Sequence, residues 1–127
     1  MTTIVLAALT ENGRVLMVRR AAHKRHHPEH WDLVGGHVET DEPVEVALIR
    51  EVREEVGVTA VASRHLGSFE DFQREVTFQV YAVTDWSDGR PQLIGDEHTD
   101  LRWVPLNGIE LVEPLAHPEI MPLLSLA

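Results

Sequence analysis

The chain has 127 residues, with 11 Lys and Arg against 21 Asp and Glu, 8 His and no Cys, for a net charge of −10 with histidine neutral. That length fits a single domain, residues 1–127, built on one layered core, and the lack of Cys excludes a disulfide scaffold, a thiolate nucleophile and Cys-ligated zinc or iron–sulfur chemistry. The acidic balance argues against polymeric nucleic acid as a partner, since neutralising its backbone takes Lys and Arg, and against a phosphate-binding surface built from protein alone.

Thr2–Leu9 is apolar and β-branched, and reads as a strand. Val15–Arg20 reads as its neighbour, and the Asn12-Gly13 pair between them predicts a tight hairpin, because both central residues of a type I′ turn need positive φ. The first run lacks a basic leader and is broken by Thr10 and Glu11, so it is no signal peptide. No stretch approaches the roughly 18 apolar residues of a membrane span. The expectation is a cytoplasmic protein with no membrane partner.

Residues 21–30 form a polar loop. Asp32–Val34 reads as extended, and Gly35-Gly36 is expected to break it. Pro43 suits the first position of a helix running to Val56, with Gly57 as its C-terminal cap. Thr59–His65, Glu75–Val83 and Leu101–Val104 read as strands, residues 87–91 as a turn, and Pro118–Leu126 as a last packing helix. Mixed strands with two helices predict an α/β or α+β sandwich.

The charge is polarised along the chain. Residues 19–30 carry Arg19, Arg20, Lys24, Arg25 and four histidines against Glu29 alone. Residues 36–58 carry seven acidic residues against Arg50 and Arg53, a net −5 that is half of the total. On a helical wheel at about 100° per residue, Leu48, Ile49, Val52 and Val56 form an apolar stripe, with Glu51, Glu54 and Glu55 grouped beside it. Those carboxylates repel one another and lie near a helix C-terminus, which disfavours anions. They require water, a partner such as Arg50, or a cation. An all-oxygen donor set suits Mg²⁺, with Mn²⁺ as a substitute, and not zinc.

The wider segment reads Gly36, five residues, Glu42, seven residues, then Arg50-Glu51-Val52-Arg53-Glu54-Glu55-Val56-Gly57-Val58. This fits every defined position of the Nudix box, G-x5-E-x7-R-E-U-x-E-E-x-G-U, with U bulky and aliphatic. A chance match in a chain this long is on the order of 10⁻⁸ at average residue usage. The chain therefore resembles the Nudix hydrolases.

That resemblance implies an α/β/α sandwich around a mixed sheet, and hydrolysis of a nucleoside diphosphate linked to a further group. It implies Glu51, Glu54 and Glu55 as metal ligands, one of them a possible base, with a carbonyl from Gly35 or Gly36 completing the site. Arg50 corresponds to the residue that orients the glutamates, and Glu42 to a support or outer ligand. In the mutator-type nucleoside triphosphate pyrophosphohydrolase branch, a loop glutamate precedes a strand Trp at the distance of Glu97 from Trp103; Asp96 and Asp100 are the alternatives to Glu97. His37 and Arg20 are candidates for phosphate contact, and Lys24–His27 for steering an anion. Trp31 and Phe72 are candidates to stack on a base. His117 stands near where that branch places a base-contacting amide, so the resemblance does not by itself extend to the branch's purine preference.

The substrate so implied is a small nucleotide, a canonical or oxidised nucleoside triphosphate such as 8-oxo-dGTP, cleaved to the monophosphate and pyrophosphate. An ADP-ribose or sugar-nucleotide pyrophosphatase and a non-catalytic nucleotide-binding module are the alternatives. The family also allows a homodimer.

Overall fold

A computed structural model describes all residues, 1–127. Seven strands form a mixed sheet: β1 (Thr2–Glu11), β2 (Arg14–Arg20), β3 (Trp31–Asp32), β4 (Val34–His37), β5 (Thr59–Asp71), β6 (Val76–Ser87) and β7 (His98–Pro105). Helix α1 (Val44–Val56), a 3-10 segment (Leu106–Leu111) and helix α2 (Ile120–Leu124) complete the chain. The order β3-β2-β1-β6-β5 forms the main path, with β4 paired to β1 and β7 to β2. β1 runs parallel to β6 and antiparallel to β4 and β2.

β1 is buried on both sides, which is why it reads as one apolar run rather than an alternating one. Ile4, Leu6 and Ala8 point to a core closed by Ile109, Val112, Ile120 and Leu124. Val5, Ala7 and Leu9 point to a second core closed by Ala47, Leu48, Val52 and Val56 of α1. The sheet thus lies between α1 and the C-terminal helical segments, which is the expected three-layer, mixed-sheet arrangement. Burying each of these Leu, Ile and Val side chains contributes about 1.5–3 kcal/mol. No helix is long and apolar enough to cross a membrane.

The hairpin forms as its sequence dictates: Asn12 has φ 52° and Gly13 φ 73°. Gly57 caps α1 in the left-handed conformation, its N–H donating to the Arg53 carbonyl. Pro43 lies one place earlier than expected, at the extended N-cap, with its carbonyl accepting from Val46 and Ala47. β5 and β6 run well past their expected ends, and register shifts within β5 keep the long pair together. The final helix is shorter than Pro118–Leu126, and the 3-10 segment carries no periodic signal in the sequence.

Two local expectations fail. Gly35-Gly36 does not break the chain but lies inside β4, paired to Leu6 and Val5. Ile49 is 41% exposed, whereas Ala47 is buried, so α1 is rotated away from the wheel's apolar centre. A Cβ on Gly35 would collide with the Val5 carbonyl, and one on Gly36 would lie 2.5 Å from the Glu51 carboxyl. Gly35 lets β4 lie close to β1, and Gly36 lets the carboxylate side of α1 press against the sheet, with Ile49 turned outward.

Candidate active site

One open cavity of about 400 Å³ gathers residues from α1, β4, the 21–30 loop, the 95–98 loop and the C-terminal segment. Of the candidates from the sequence, Arg20, Gly36, His37, Arg50, Glu51, Glu54, Glu55, Glu97 and His117 all line it, as do Lys24, Arg25, His26 and His27 of the basic loop. Trp31 and Phe72 do not. Trp31 is packed in the core with the Arg102 guanidinium 4.5 Å over its ring. Phe72 is 73% exposed at the β5–β6 turn. The stacking role expected for this pair is therefore corrected: β3 directs the Trp31 ring inward, and the turn carries Phe72 off the cavity wall.

The acidic wall is built by α1. Glu55 is only 5% exposed, and its carboxylate accepts the Gly35 N–H at 2.8 Å. It shares the buried face of α1 with Ala47, Leu48, Val52 and Val56, so it is a carboxylate set into a core face. Burial pushes its pKa well up, and the nearby Glu51 charge adds to this, partly offset by the Gly35 N–H. Glu51 is also raised, first by burial and against the pull of Arg50. Glu54 is the solvent-facing member, its side chain 59% exposed.

Arg50 ties the group together. Its Nε and Nη2 donate to the two Glu42 oxygens, both at 2.9 Å. Its Nη1 lies 2.8 Å from Glu51 and 3.4 Å from Glu54, and its Nη2 also donates to the His37 carbonyl at 2.9 Å. Glu42 accepts from the Glu39 N–H as well. The Arg50 hydrogen bonds hold Glu42 down to about 2. One guanidinium thus anchors the box loop to the helix and shares a positive charge among three carboxylates.

Across the cavity, Glu97 pairs with Lys24 at 3.2 Å, and its carbonyl accepts the Ala21 N–H. The rivals Asp96 and Asp100 are not among the lining residues, and Asp100 faces Arg19 at 3.9 Å. The register shift between Arg19 and Arg20 in β2 explains their division of labour. Arg19 stays outside with Glu29 and Asp100, while Arg20 turns inward, a re-aiming typical of bulges near functional sites.

The sequence reading missed Asp32 and His98. Asp32 is 2% exposed, takes the Leu33 N–H at 2.8 Å and faces Arg20 at 3.4 Å. Burial raises it to about 6 despite the Arg20 charge. Its signal was a lone carboxylate in the apolar run Trp31–Val34. His98 lies 3.5 Å from Glu55, but burial lowers it to about 4, so it stands neutral beside that carboxyl rather than in an ion pair. His117 is likewise buried and lowered to about 3, 4.6 Å from the Phe78 ring and 3.6 Å from Asp32.

The donor set suits a hard cation. It is all carboxylate oxygen, and Glu51 packs so closely on Gly36 that any Cβ there would lie 2.5 Å from its carboxyl. Arg50 already spans Glu51 and Glu54 with a cationic group. As the side chains stand, no three acidic or histidine groups converge on one point, so a metal would have to draw them in.

The profile of the NUDIX domain matches residues 1–124. The chain belongs to the Nudix family. It is 34% identical to a CTP pyrophosphohydrolase of Escherichia coli K12, over 98% of this chain and 90% of that protein. It is 33% identical to the nucleoside triphosphatase NudI of Salmonella agona, over 80% of each. Its fold superposes on the crystal structure of a MutT Nudix hydrolase from Burkholderia pseudomallei with a TM-score of 0.83, at 28% identity over 98% of this chain and 95% of that one. With its box complete, the chain is a Nudix hydrolase, and the acidic wall just described is formed by the box itself.

Proposed function

We propose that this Nudix enzyme hydrolyses nucleoside triphosphates to the monophosphate and pyrophosphate with Mg²⁺ as its cofactor, Mn²⁺ serving as a substitute. Glu51, Glu54 and Glu55 would hold the cation, with the Gly36 carbonyl and Glu97 as further ligands. The observation that carries this reading is the pairing, in one cavity, of a carboxylate wall with a cationic one made by Arg20, Lys24 and Arg25. Burial first raises both Glu51 and Glu55, and neighbouring carboxylates add to it, Glu54 and Glu97 for Glu51 and Glu51 and Glu97 for Glu55, so a divalent cation there would restore their charged forms.

When bound, the cation supplies charge neutralisation of the polyphosphate and a lowered pKa for the attacking water. The protein's part is positioning. Arg50 fixes the rotamers of Glu51 and Glu42, and the Gly35 N–H fixes Glu55. Arg20 and His37 meet the phosphates, and Lys24, released from Glu97, adds a third contact. The relatives named above act on nucleoside triphosphates according to their names, which agrees with this substrate class over that of ADP-ribose or sugar nucleotides.

The test is a panel of nucleoside triphosphates, 8-oxo-dGTP, ADP-ribose and sugar nucleotides, with Mg²⁺, with Mn²⁺ and with chelator. Phosphate is read with and without added inorganic pyrophosphatase. The reading expects signal from triphosphates only when pyrophosphatase is present and none in chelator. Phosphate released without pyrophosphatase, or turnover confined to ADP-ribose, overturns it.

A further inference from the structure

We propose that His98 is a positioning residue for the metal site: its ring nitrogen Nδ1 donates to Oε1 of Glu55 and sets the plane in which that carboxylate meets the cation. The inference rests on the reading of Glu55 as a metal ligand above, and concerns the one oxygen of Glu55 that the backbone does not hold.

Glu55 is the least accessible carboxylate of the acidic wall. Its Oε2 takes the Gly35 N–H at 2.8 Å, and a single bond there leaves the carboxylate free to swing. Oε1 faces His98 Nδ1 at 3.5 Å, and both side chains are 6% exposed. That separation is longer than a formed N–H···O bond, but contacts of this kind tighten once a site engages its ligand. A carboxylate that coordinates a cation is charged and only accepts, so the ring nitrogen facing it is a donor.

The segment that carries His98 also grips Glu55 at its backbone. The Ile94 N–H donates to the Glu55 carbonyl at 3.0 Å and the Gln92 N–H to the Val56 carbonyl at 3.1 Å. These are carbonyls that the end of a helix leaves without partners. Further along, the Ala21 N–H donates to the Glu97 carbonyl at 2.9 Å, and His98 pairs with Arg20 between β7 and β2. Residues 92–98 are thus tied to the end of α1 on one side and to β2 on the other. Glu97, the further ligand proposed above, precedes His98 in the chain, so Glu55 and Glu97 are held in one frame.

Histidine suits the task. Arg50 already brings a full positive charge to the acidic wall, and another cation against Glu55 would oppose a divalent ion. Burial, with Arg20 and Lys24 nearby, keeps the His98 ring neutral against the pull of Glu97. A neutral N–H orients the carboxylate without competing for its charge, as partners of metal ligands do.

The experiment measures Mn²⁺ binding to the nucleotide-free protein by electron paramagnetic resonance of the free ion. His98→Asn places an amide N–H where Nδ1 stands. His98→Gln places it one bond further out, and His98→Leu fills the space without a donor. The Leu and Gln variants are expected to weaken binding by about 10- to 100-fold, and the Asn variant to stay within about threefold of wild type. In a Glu55→Gln background, His98→Leu is expected to change binding by less than about twofold, since residues that act through one another are not additive. Thermal melting of each variant reads stability separately. Asn and Gln variants that bind alike, a Leu variant that binds as wild type, or losses that add in the double variant overturn the inference. The Asn–Gln comparison decides even if the Leu protein does not fold. Mn²⁺ that fails to bind wild type, or that binds Glu55→Gln as tightly, overturns instead the metal site on which the inference rests, so the two failures are told apart.

Discussion

Gly35 and Glu55 meet across the helix–sheet interface, the Gly35 N–H donating to the Glu55 carboxylate at 2.8 Å. The contact explains how an acidic residue persists in the core-facing stripe of α1. It also makes the glycine specific. Gly35→Ala would drive its methyl into the Val5 carbonyl, and the strand would have to move. Overpacking of this kind costs about 1–3 kcal/mol. Urea denaturation should show that loss, and turnover should fall with it because Glu55 loses its anchor. An alanine variant of wild-type stability would mean that β4 is free to shift.

Glu54 gives the cleaner probe of the acidic wall, because its side chain is more than half exposed and no backbone depends on it. Glu54→Gln should change stability by no more than about 0.5 kcal/mol, as for surface changes generally. Turnover in Mg²⁺ should fall by at least about 10- to 100-fold, the loss seen when groups that support a metal's ligands are removed. Thermal melting and a Mg²⁺ titration of rate check both halves. Unchanged turnover would remove Glu54 from the metal site.

Much of this was readable from the chain. The hairpin at Asn12-Gly13, the cap at Gly57 and the grouping of Glu51, Glu54, Glu55 and Arg50 follow from local rules of turn, cap and helical spacing. What escaped was set by tertiary contact. Gly35-Gly36 reads locally as a break, but Gly35 admits the Val5 carbonyl of β1 and Gly36 admits the Glu51 carboxyl of α1. Trp31 offers a stacking ring in sequence, yet strand pairing with Arg19 buries it. Asp32 reads as one polar residue in a short strand, and only the inward turn of Arg20 gives it a role. The wheel misplaced Ile49 because it knows the apolar centre of a helix but not the groove against which the helix lies.

Arg50→Ala removes the group that joins Glu42, Glu51, Glu54 and the His37 carbonyl. Hydrogen bonds to charged groups contribute about 1.5–3 kcal/mol, so a loss of about that size is expected at pH 7. Glu42 adds a pH signature. Its folded pKa, about 2, lies below the ordinary value of 4.5, so the unfolded chain takes up this proton first as pH falls. The stabilisation is complete above pH 4.5 and is lost between pH 4.5 and about 2. The deficit of Arg50→Ala against wild type should therefore shrink through that window in urea titrations. Arg50→Lys should not restore it, since an ammonium cannot grip both Glu42 oxygens in a planar fork. A deficit constant with pH would detach the Arg50–Glu42 pair from stability.

Asp32 has the opposite sign. Its folded pKa is raised from 3.8 to about 6, with Arg20, Arg74 and the lowered His117 as the groups that face it. Between those values the folded state holds the proton and the unfolded state does not. This carboxyl therefore favours folding most below pH 3.8, and its contribution declines as pH rises through about 6. His117, lowered from 6.5 to about 3, works the other way: the unfolded chain binds its proton first, so its contribution is full above pH 6.5 and declines as pH falls. In the wild-type protein the two slopes oppose each other between pH 4 and 6. Asp32→Asn removes only the first. Its stability should rise with pH more steeply than that of wild type across this range, by up to about 1.4 kcal/mol per pH unit for one proton. The readout is the slope and not the level, so a general loss of stability in the variant does not obscure it. Parallel curves for the two proteins would mean that Asp32 titrates alike in the folded and unfolded chains, and would remove the effect assigned to its burial.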